Sequence, residues 1–252
     1  MSKAANLALL DSWQLPAPVP AWTVIRHGEP IDTGALNGLD GDLFAVRSSA
    51  DCEDGAEHSF AGLFDTLLGV RRADVPEAVR TVRQSARTAR ARAYLERIGM
   101  DPHSVRMDVV VQKMLRPRLA GVAFSRHPVP GSRGRVVEVV RGLGELLVSG
   151  SVGGDRIVID PDNAAVVSYD VHHQSRQLVV GEHGTRLLPV PTLRQSARKL
   201  SARDVRSIDR LLVTVERRMG CPVDIEFAFE GDTLHLLQAR PMTVAAEEPR
   251  SA

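Results

Sequence analysis

The chain has little cysteine, and what it has excludes two structural classes. Cys52 and Cys221 are the only cysteines in 252 residues, so there is no disulfide framework and no Cys-x-x-Cys pair for zinc. Charge of one sign is also missing. A formal net charge of +1 gives no reason to expect nucleic acid or an anionic membrane as a partner. No basic start leads into an apolar run and no segment approaches membrane-spanning length, so neither a signal peptide nor a membrane span is expected, and the cytoplasm is the default compartment. The common phosphate-binding loops are absent too. There is no Gly-x-x-x-x-Gly-Lys-Ser/Thr run, and Gly142-Leu143-Gly144 lacks the third glycine of a dinucleotide fingerprint. Internal repeats and low-complexity tracts are lacking.

What is present reads as an ordinary globular chain, 43% hydrophobic and 25% charged. A short helix is expected over 3–10 and a strand over 22–25, followed by loop to about residue 43. Val75, Ala78, Val79, Val82, Ala86, Ala89 and Ala93 recur at helical spacing, which predicts one long amphipathic helix over 75–98. The dense arginines there fit a solvated helix face. Short β-branched runs follow at 109–114, 136–140, 156–160, 166–169 and 177–180. A second helix begins at Ser201, with Asp204 placed for a capping box and Gly220 then Pro222 to end it. The chain closes with strands over 223–229 and 233–239 and a tail. Helices and short strands without regular βαβ alternation predict an α+β protein of two lobes, the ligand in the cleft between them. The expected domains are 1–105, 106–244 and a tail over 245–252.

Three groups of residues could carry chemistry. In Val223-Asp224-Ile225-Glu226-Phe227-Ala228-Phe229, alternation puts Asp224 and Glu226 on one face with small Ala228. Gln238 and Arg240 share parity on the returning strand. A carboxylate with an amide oxygen is hard-oxygen ligation that Mg²⁺ accepts alongside phosphate, and Arg240 offers a planar donor fork to phosphate. A solvent-facing hairpin explains the same spacing. The face shared by Glu226 and Gln238 depends on the turn: a three-residue Glu230-Gly231-Asp232 loop, which the functional reading favours, sets Asp224 opposite Gln238. A two-residue Gly231-Asp232 turn in a regular ladder would throw Gln238 to the other side. The second group is Arg47-Ser48-Ser49-Ala50 with Ser59-Phe60-Ala61-Gly62, Asp65 and Thr66, either a phosphate-covering loop or an ordinary polar turn. The third, Ser196-Ala197-Arg198-Lys199, matches Ser-x-x-Lys, a pattern too short to mean much alone.

Taken in order, Ala45-Val46-Arg47-Ser48-Ser49-Ala50 with Ser59-Phe60-Ala61-Gly62, Val110-Val111-Gln112-Lys113-Met114, Ala120-Gly121-Val122-Ala123-Phe124-Ser125, Gly142-Leu143-Gly144-Glu145, and Asp224-Ile225-Glu226 with Leu237-Gln238-Ala239-Arg240-Pro241 span nearly the whole chain. Together they resemble the ATP-binding domain of pyruvate phosphate dikinase, phosphoenolpyruvate synthase and rifampicin phosphotransferase. The resemblance implies an ATP-grasp fold and an ATP- and Mg²⁺-dependent phosphotransferase. It implies Lys3 and Arg47 as phosphate contacts and residues 59–66, with Thr66, as the loop over the phosphates. Gln112, Lys113 and Met114 become the hinge whose backbone pairs with adenine. Asp224, Glu226, Gln238 and Arg240 form the phosphate end, with Glu226 and Gln238 on the metal and Arg47 and Arg240 catalytic. Two features depart from the pattern: no pair of glycines precedes Lys3, and the segment between Ile25 and Phe44 is short where relatives carry a helical insertion. The sequence also stops where relatives continue into a phosphohistidine domain, so the acceptor is expected to be a separate histidine carrier or a small molecule. An ATP-grasp ligase that activates a carboxylate as an acyl phosphate, and a non-catalytic nucleotide-binding module, are the alternatives.

Overall fold

The structure, a computed structural model, describes residues 2–31, 33–52 and 63–242. Its contacts divide the chain into two units. One holds the N-terminal segment up to Ser12, Val19–Leu115 and Val180–Arg186; the other holds Trp13–Pro18, Arg116–Val179 and the chain from Leu187 onward. The expected boundary after residue 105 falls too early. The strand that follows it forms the middle of the first unit's sheet, so the division comes between Leu115 and Arg116. The expected tail over 245–252 and the stretch Ser59-Phe60-Ala61-Gly62 lie outside the described residues.

In the first unit, helix α1 (Lys3–Asp11) is followed by strands β1 (Trp22–Ile25), β2 (Leu43–Ala50) and β3 (Thr66–Arg71), helices α2 (Val75–Ser85) and α3 (Ala89–Arg97), and strand β4 (Met107–Lys113). The strands form an antiparallel sheet in the order β1-β4-β2-β3. Strand alternation sorts its faces. Phe44, Val46, Ala50, Val109 and Val111 pack with Val75, Val79 and Val82 of α2 in the main core of this unit. Val110 packs instead with Ala4 and Leu7 of α1, whose Ala4 N–H donates to Ser49 Oγ at 3.0 Å.

The single helix expected over 75–98 is two helices. Buried Ser85 donates its hydroxyl to the Val82 carbonyl at 2.7 Å and accepts the Asp65 N–H at 3.2 Å. Thr88 bonds the Ser85 carbonyl at 2.9 Å and caps α3 by accepting the Ala91 N–H at 3.2 Å. Hydroxyls that bond nearby backbone offer the chain an alternative to the helical ladder, and here two of them within four positions end one helix and start the next. The apolar spacing crosses the break in the sequence only: Ala89 and Ala93 are exposed, and α3 buries Ala91 and Leu95 instead.

The second unit is built on a six-stranded antiparallel sheet. Its elements are β5 (Leu119–Phe124), β6 (Arg135–Arg141), the short helix α4 (Glu145–Val148), β7 (Asp155–Ile159), β8 (Val166–Asp170), a hairpin of β9 (Arg176–Gly181) and β10 (Gly184–Pro189) whose turn end groups with the first unit, the short helix α5 (Thr192–Gln195), helix α6 (Ala202–Met219), β11 (Val223–Glu230) and β12 (Thr233–Pro241). The sheet order is β12-β11-β5-β6-β7-β8. Helix α6 has the expected reciprocal capping box between Ser201 and Asp204, and Gly220 ends it in the left-handed conformation. It buries Val205, Ile208, Leu211, Leu212 and Val215 on the sheet face that carries Val223, Ile225, Phe227 and Phe229. Arg135 of β6 pins it with a buried ion pair to Asp209, Nε to Oδ1 at 2.6 Å.

A second buried ion pair lies just ahead of α6. Lys199 and Asp155 of β7 are fully buried side chains, with Nζ 2.5 Å from Oδ1. The carboxylate also accepts the His172 N–H, the Lys199 N–H and the Tyr169 hydroxyl, each at 3.0 Å. Burial pushes the Tyr169 hydroxyl up to about 12. The Ser-x-x-Lys lysine is therefore a structural one. The expected α+β class is the one observed.

Candidate functional site

In the first unit, the residues expected at the phosphates come together on the face that α1 covers. Arg47 and Thr66 are direct partners across β2 and β3, and Arg47 also lies opposite Val110 of β4. Thr66 is thus the first residue of a strand rather than part of a loop. Ser49, which anchors α1, is two residues along the same face from Arg47. Lys3 is the first residue of α1. Gln112 shares the face of Val110, opposite Trp22 and Ala45, whereas Lys113 is opposite Phe44 and so points to the other side.

The expected hinge needs a change of emphasis. The Lys113 N–H already donates to the Ala21 carbonyl at 2.8 Å, and the Met114 N–H to the Leu43 carbonyl at 3.0 Å. Two of the amides that could read adenine are spent on the sheet. The Gln112 carboxamide is 2% exposed, and its Nε2 has no hydrogen-bond partner among the described residues. A buried donor left without an acceptor costs about 1–3 kcal/mol, so this nitrogen is the group in the segment with most to gain from a ligand acceptor.

In the second unit the polar residues line the sheet face turned away from α6. The hairpin turn is the two-residue one: Glu230 pairs with Thr233, and Gly231 sits at a φ of +56°. That is the first central position where a II′ turn takes glycine, and Asp232 keeps an ordinary φ. The expected three-residue loop, and the pairing of Asp224 with Gln238, are therefore incorrect. Yet Gln238 is not thrown to the far side. The ladder shifts between Glu226 and Phe227, where Phe227 pairs with Leu236 and Glu226 with Gln238, so Leu237 is an extra residue in β12. This β-bulge restores the parity that the turn removes. Glu226 stands directly opposite Gln238, and Asp224 opposite Arg240.

Arg240 Nε lies 2.9 and 3.0 Å from the two carboxylate oxygens of Asp224, a pair that fixes the guanidinium on this face. Gln238 is 3% exposed and Glu226 half-buried. The register extends the polar row to residues that the sequence reading missed. Glu226 and Glu138 both lie opposite Val122, and Glu138 lies opposite Arg156, with 3.7 Å between Arg156 Nη1 and Glu138 Oε1. The signal was available in Arg135-Val136-Val137-Glu138-Val139-Val140-Arg141, where one glutamate interrupts the valines of a central strand. Among the described residues, no group of three or more His, Cys, Asp or Glu side chains could hold a metal ion. A carboxylate and an amide oxygen side by side do suit Mg²⁺, which is commonly held by one or two carboxylates with substrate phosphates completing its shell.

Residues 31–252 match the family described as pyruvate phosphate dikinase, AMP/ATP-binding domain. Phosphoenolpyruvate synthase from Aeropyrum pernix is 34% identical over 87% of this chain and 31% of its own length. Rifampicin phosphotransferase from Streptomyces sviceus is 38% identical over 83% of this chain and 24% of its own length. The chain thus spans less than a third of either relative. Among solved structures, D-alanine–D-alanine ligase from Bacillus anthracis is similar over 96% of this chain and 56% of that one, at 10% identity and a TM-score of 0.47, a likeness too distant to carry weight. The family match and the relatives carry the assignment instead: the chain belongs to the AMP/ATP-binding domain family of pyruvate phosphate dikinase.

Proposed function

We propose that this chain is the nucleotide-binding part of an ATP-dependent phosphotransferase, which takes a phosphoryl group from ATP and passes it to a separate histidine carrier or a small molecule. The observation that supports it most is the bulge at Leu237, which keeps Glu226 beside Gln238 and Asp224 beside Arg240 despite a turn that would separate them. The same shift sets Ala239 against Ile225 in the core, so one extra residue puts the apolar and the polar side chains of β12 on their proper faces together.

The residue roles are part of the proposal. In the first unit Lys3, Arg47 and Thr66 contact phosphate, and Gln112 offers its orphaned amide to a nucleotide acceptor. In the second, Arg240 donates to phosphate oxygens, and Asp224 holds it in place. Glu226 and Gln238 are the pair that would hold Mg²⁺, which when bound neutralises charge on the phosphate oxygens. Phosphoryl transfer asks mainly for positioning and charge neutralisation, and these residue types provide both. Placement in the cytoplasm belongs to the proposal as well; among the described residues no helix is long and apolar enough to cross a membrane.

The products of ATP turnover test the reading. Formation of AMP and phosphate is expected for dikinase-like chemistry, with a phosphohistidine on an added carrier protein; ADP together with a phosphorylated small molecule identifies a direct kinase. Absence of ATP binding would dispose of both. A second measurement isolates the metal. Glu226→Gln should weaken Mg²⁺-dependent nucleotide binding about tenfold or more, while binding without Mg²⁺ changes little. Calorimetry with and without Mg²⁺ decides this, and an identical metal dependence in the variant rules Glu226 out as a ligand.

A further inference from the structure

The second unit contains a cavity of about 710 Å³ beside the start of α6. All the residues lining it belong to that unit. It lies on the α6 side of the sheet: Phe229, which lines it, alternates with the Glu226 face and shares the core face with Phe227 and Ile225. The cavity is thus separated by the sheet from the polar row described above.

Its wall is strongly basic in a chain whose charges otherwise nearly cancel. Arg118, Arg198, Lys199, Arg203 and Arg210 line it, against Asp204 and Asp232. Two of the cations are committed elsewhere. Lys199 is buried against Asp155, and Arg118 bonds Asp204 at 2.8 Å while stacking over the Phe229 ring at 4.8 Å. Asp204 is committed in turn: burial works to raise its pKa, but hydrogen bonds from Ser201 and Arg118 carry it below the ordinary carboxylate value. Arg198, Arg203 and Arg210 remain, exposed and without an ion pair among the described residues. Arg198 lies over the Tyr169 ring at 4.7 Å, which orients a planar fork while leaving its edge donors available. Arg203, Ser207 and Arg210 follow at helical spacing along one stripe of α6, so their side chains reach the same space.

Three guanidinium groups gathered at one cavity repel one another unless an anion joins them, and their planar forks match phosphate oxygens. The helix terminus is not the recognising element, since Ser201 and Asp204 already cap it. The volume falls in the range of small-molecule sites. We propose that this cavity binds a small polyanion with two or more phosphate groups, held by Arg198, Arg203 and Arg210, at a second site independent of the nucleotide site.

Inorganic pyrophosphate is the probe. It is titrated calorimetrically, without divalent metal, into the whole chain, into Arg203→Ala/Arg210→Ala and, separately, into Arg198→Gln and Arg47→Ala. The exposed arginines carry no packing of the core, so the circular dichroism spectrum should be unchanged in the double variant. Pyrophosphate affinity should fall about tenfold or more in the double variant, fall less in Arg198→Gln, decline with added salt, and persist in Arg47→Ala. Equal affinity in the wild-type chain and the double variant overturns the proposal, as does loss of binding in Arg47→Ala, or no binding at millimolar pyrophosphate. Should the double variant fail to fold, unchanged affinity in Arg198→Gln overturns it equally.

Discussion

Lys199→Met should destabilise the chain by about 3–5 kcal/mol, a large part of the roughly 5–15 kcal/mol that holds a typical domain together. The lysine and Asp155 are both fully buried, and water cannot reach the carboxylate that the substitution leaves behind. Methionine matches the length of the lysine stem, so the expected loss comes from charge rather than volume. The remaining donors, Tyr169, the His172 N–H and the Lys199 N–H, moderate the effect without neutralising the ion. Adding Asp155→Leu should recover part of the loss, because an apolar pair avoids the stranded charge. Recovery is incomplete, since the same three donors then lose their acceptor. Urea denaturation of the two single variants and the double variant measures this cycle. A loss below about 1 kcal/mol in Lys199→Met would show that the pair is solvated in solution.

Elements coded by local signals were legible in the sequence, and those settled by distant pairing were not. Helix α6 carries its own start, stripe and stop in Ser201, Asp204, Val205 through Val215 and Gly220, and each sits where that pattern puts it. The break between α2 and α3 was hidden because alanine and valine spacing runs across it, while Ser85 gives its hydroxyl to Val82 and accepts Asp65, a residue 20 positions away. Strand β3 was missed for a related reason. Thr66-Leu67-Leu68-Gly69-Val70-Arg71 does not alternate cleanly, since its ladder with β2 shifts where Phe44 pairs with Val70 and Val46 with Leu67. β4 was given to the wrong unit because nothing within Met107–Lys113 says that β1 and β2 will flank it.

The site shows the same division. Parity brought Asp224 and Glu226 to one face and Gln238 and Arg240 to another strand's face, and all four do share a side of the sheet. The route to that outcome was not readable. Gly231 permits either loop length, and a bulge at Leu237 leaves no local mark, since leucine fits a regular strand as well as an irregular one. Glu138 and Arg156 were missed because their place beside Glu226 comes from three successive strand registers.

Arg240→Ala and Arg47→Ala should each reduce ATP turnover about 10²–10³-fold or more, the cost of removing one preorganised donor from developing phosphate charge. Nucleotide affinity should fall much less than rate, because both substitutions leave in place Gln112 and the Glu226–Gln238 pair, proposed above to hold the nucleotide and its metal. For Arg240 the geometry sharpens the expectation. Its Nε bonds both carboxylate oxygens of Asp224, which holds the planar guanidinium in a fixed orientation on this face. Asp224→Asn keeps a carbonyl acceptor and loses only the charge, so it should slow turnover by a smaller factor than Arg240→Ala. Arg240→Lys retains charge without the fork and should fall between wild type and alanine. For Arg47, its place opposite Thr66, with Ser49 and α1 two residues away, makes its loss a test of the first unit's share. Single-turnover kinetics with saturating ATP separates rate from affinity. Unchanged turnover in both alanine variants would remove the phosphate roles from both units, and the assignment of catalysis with them.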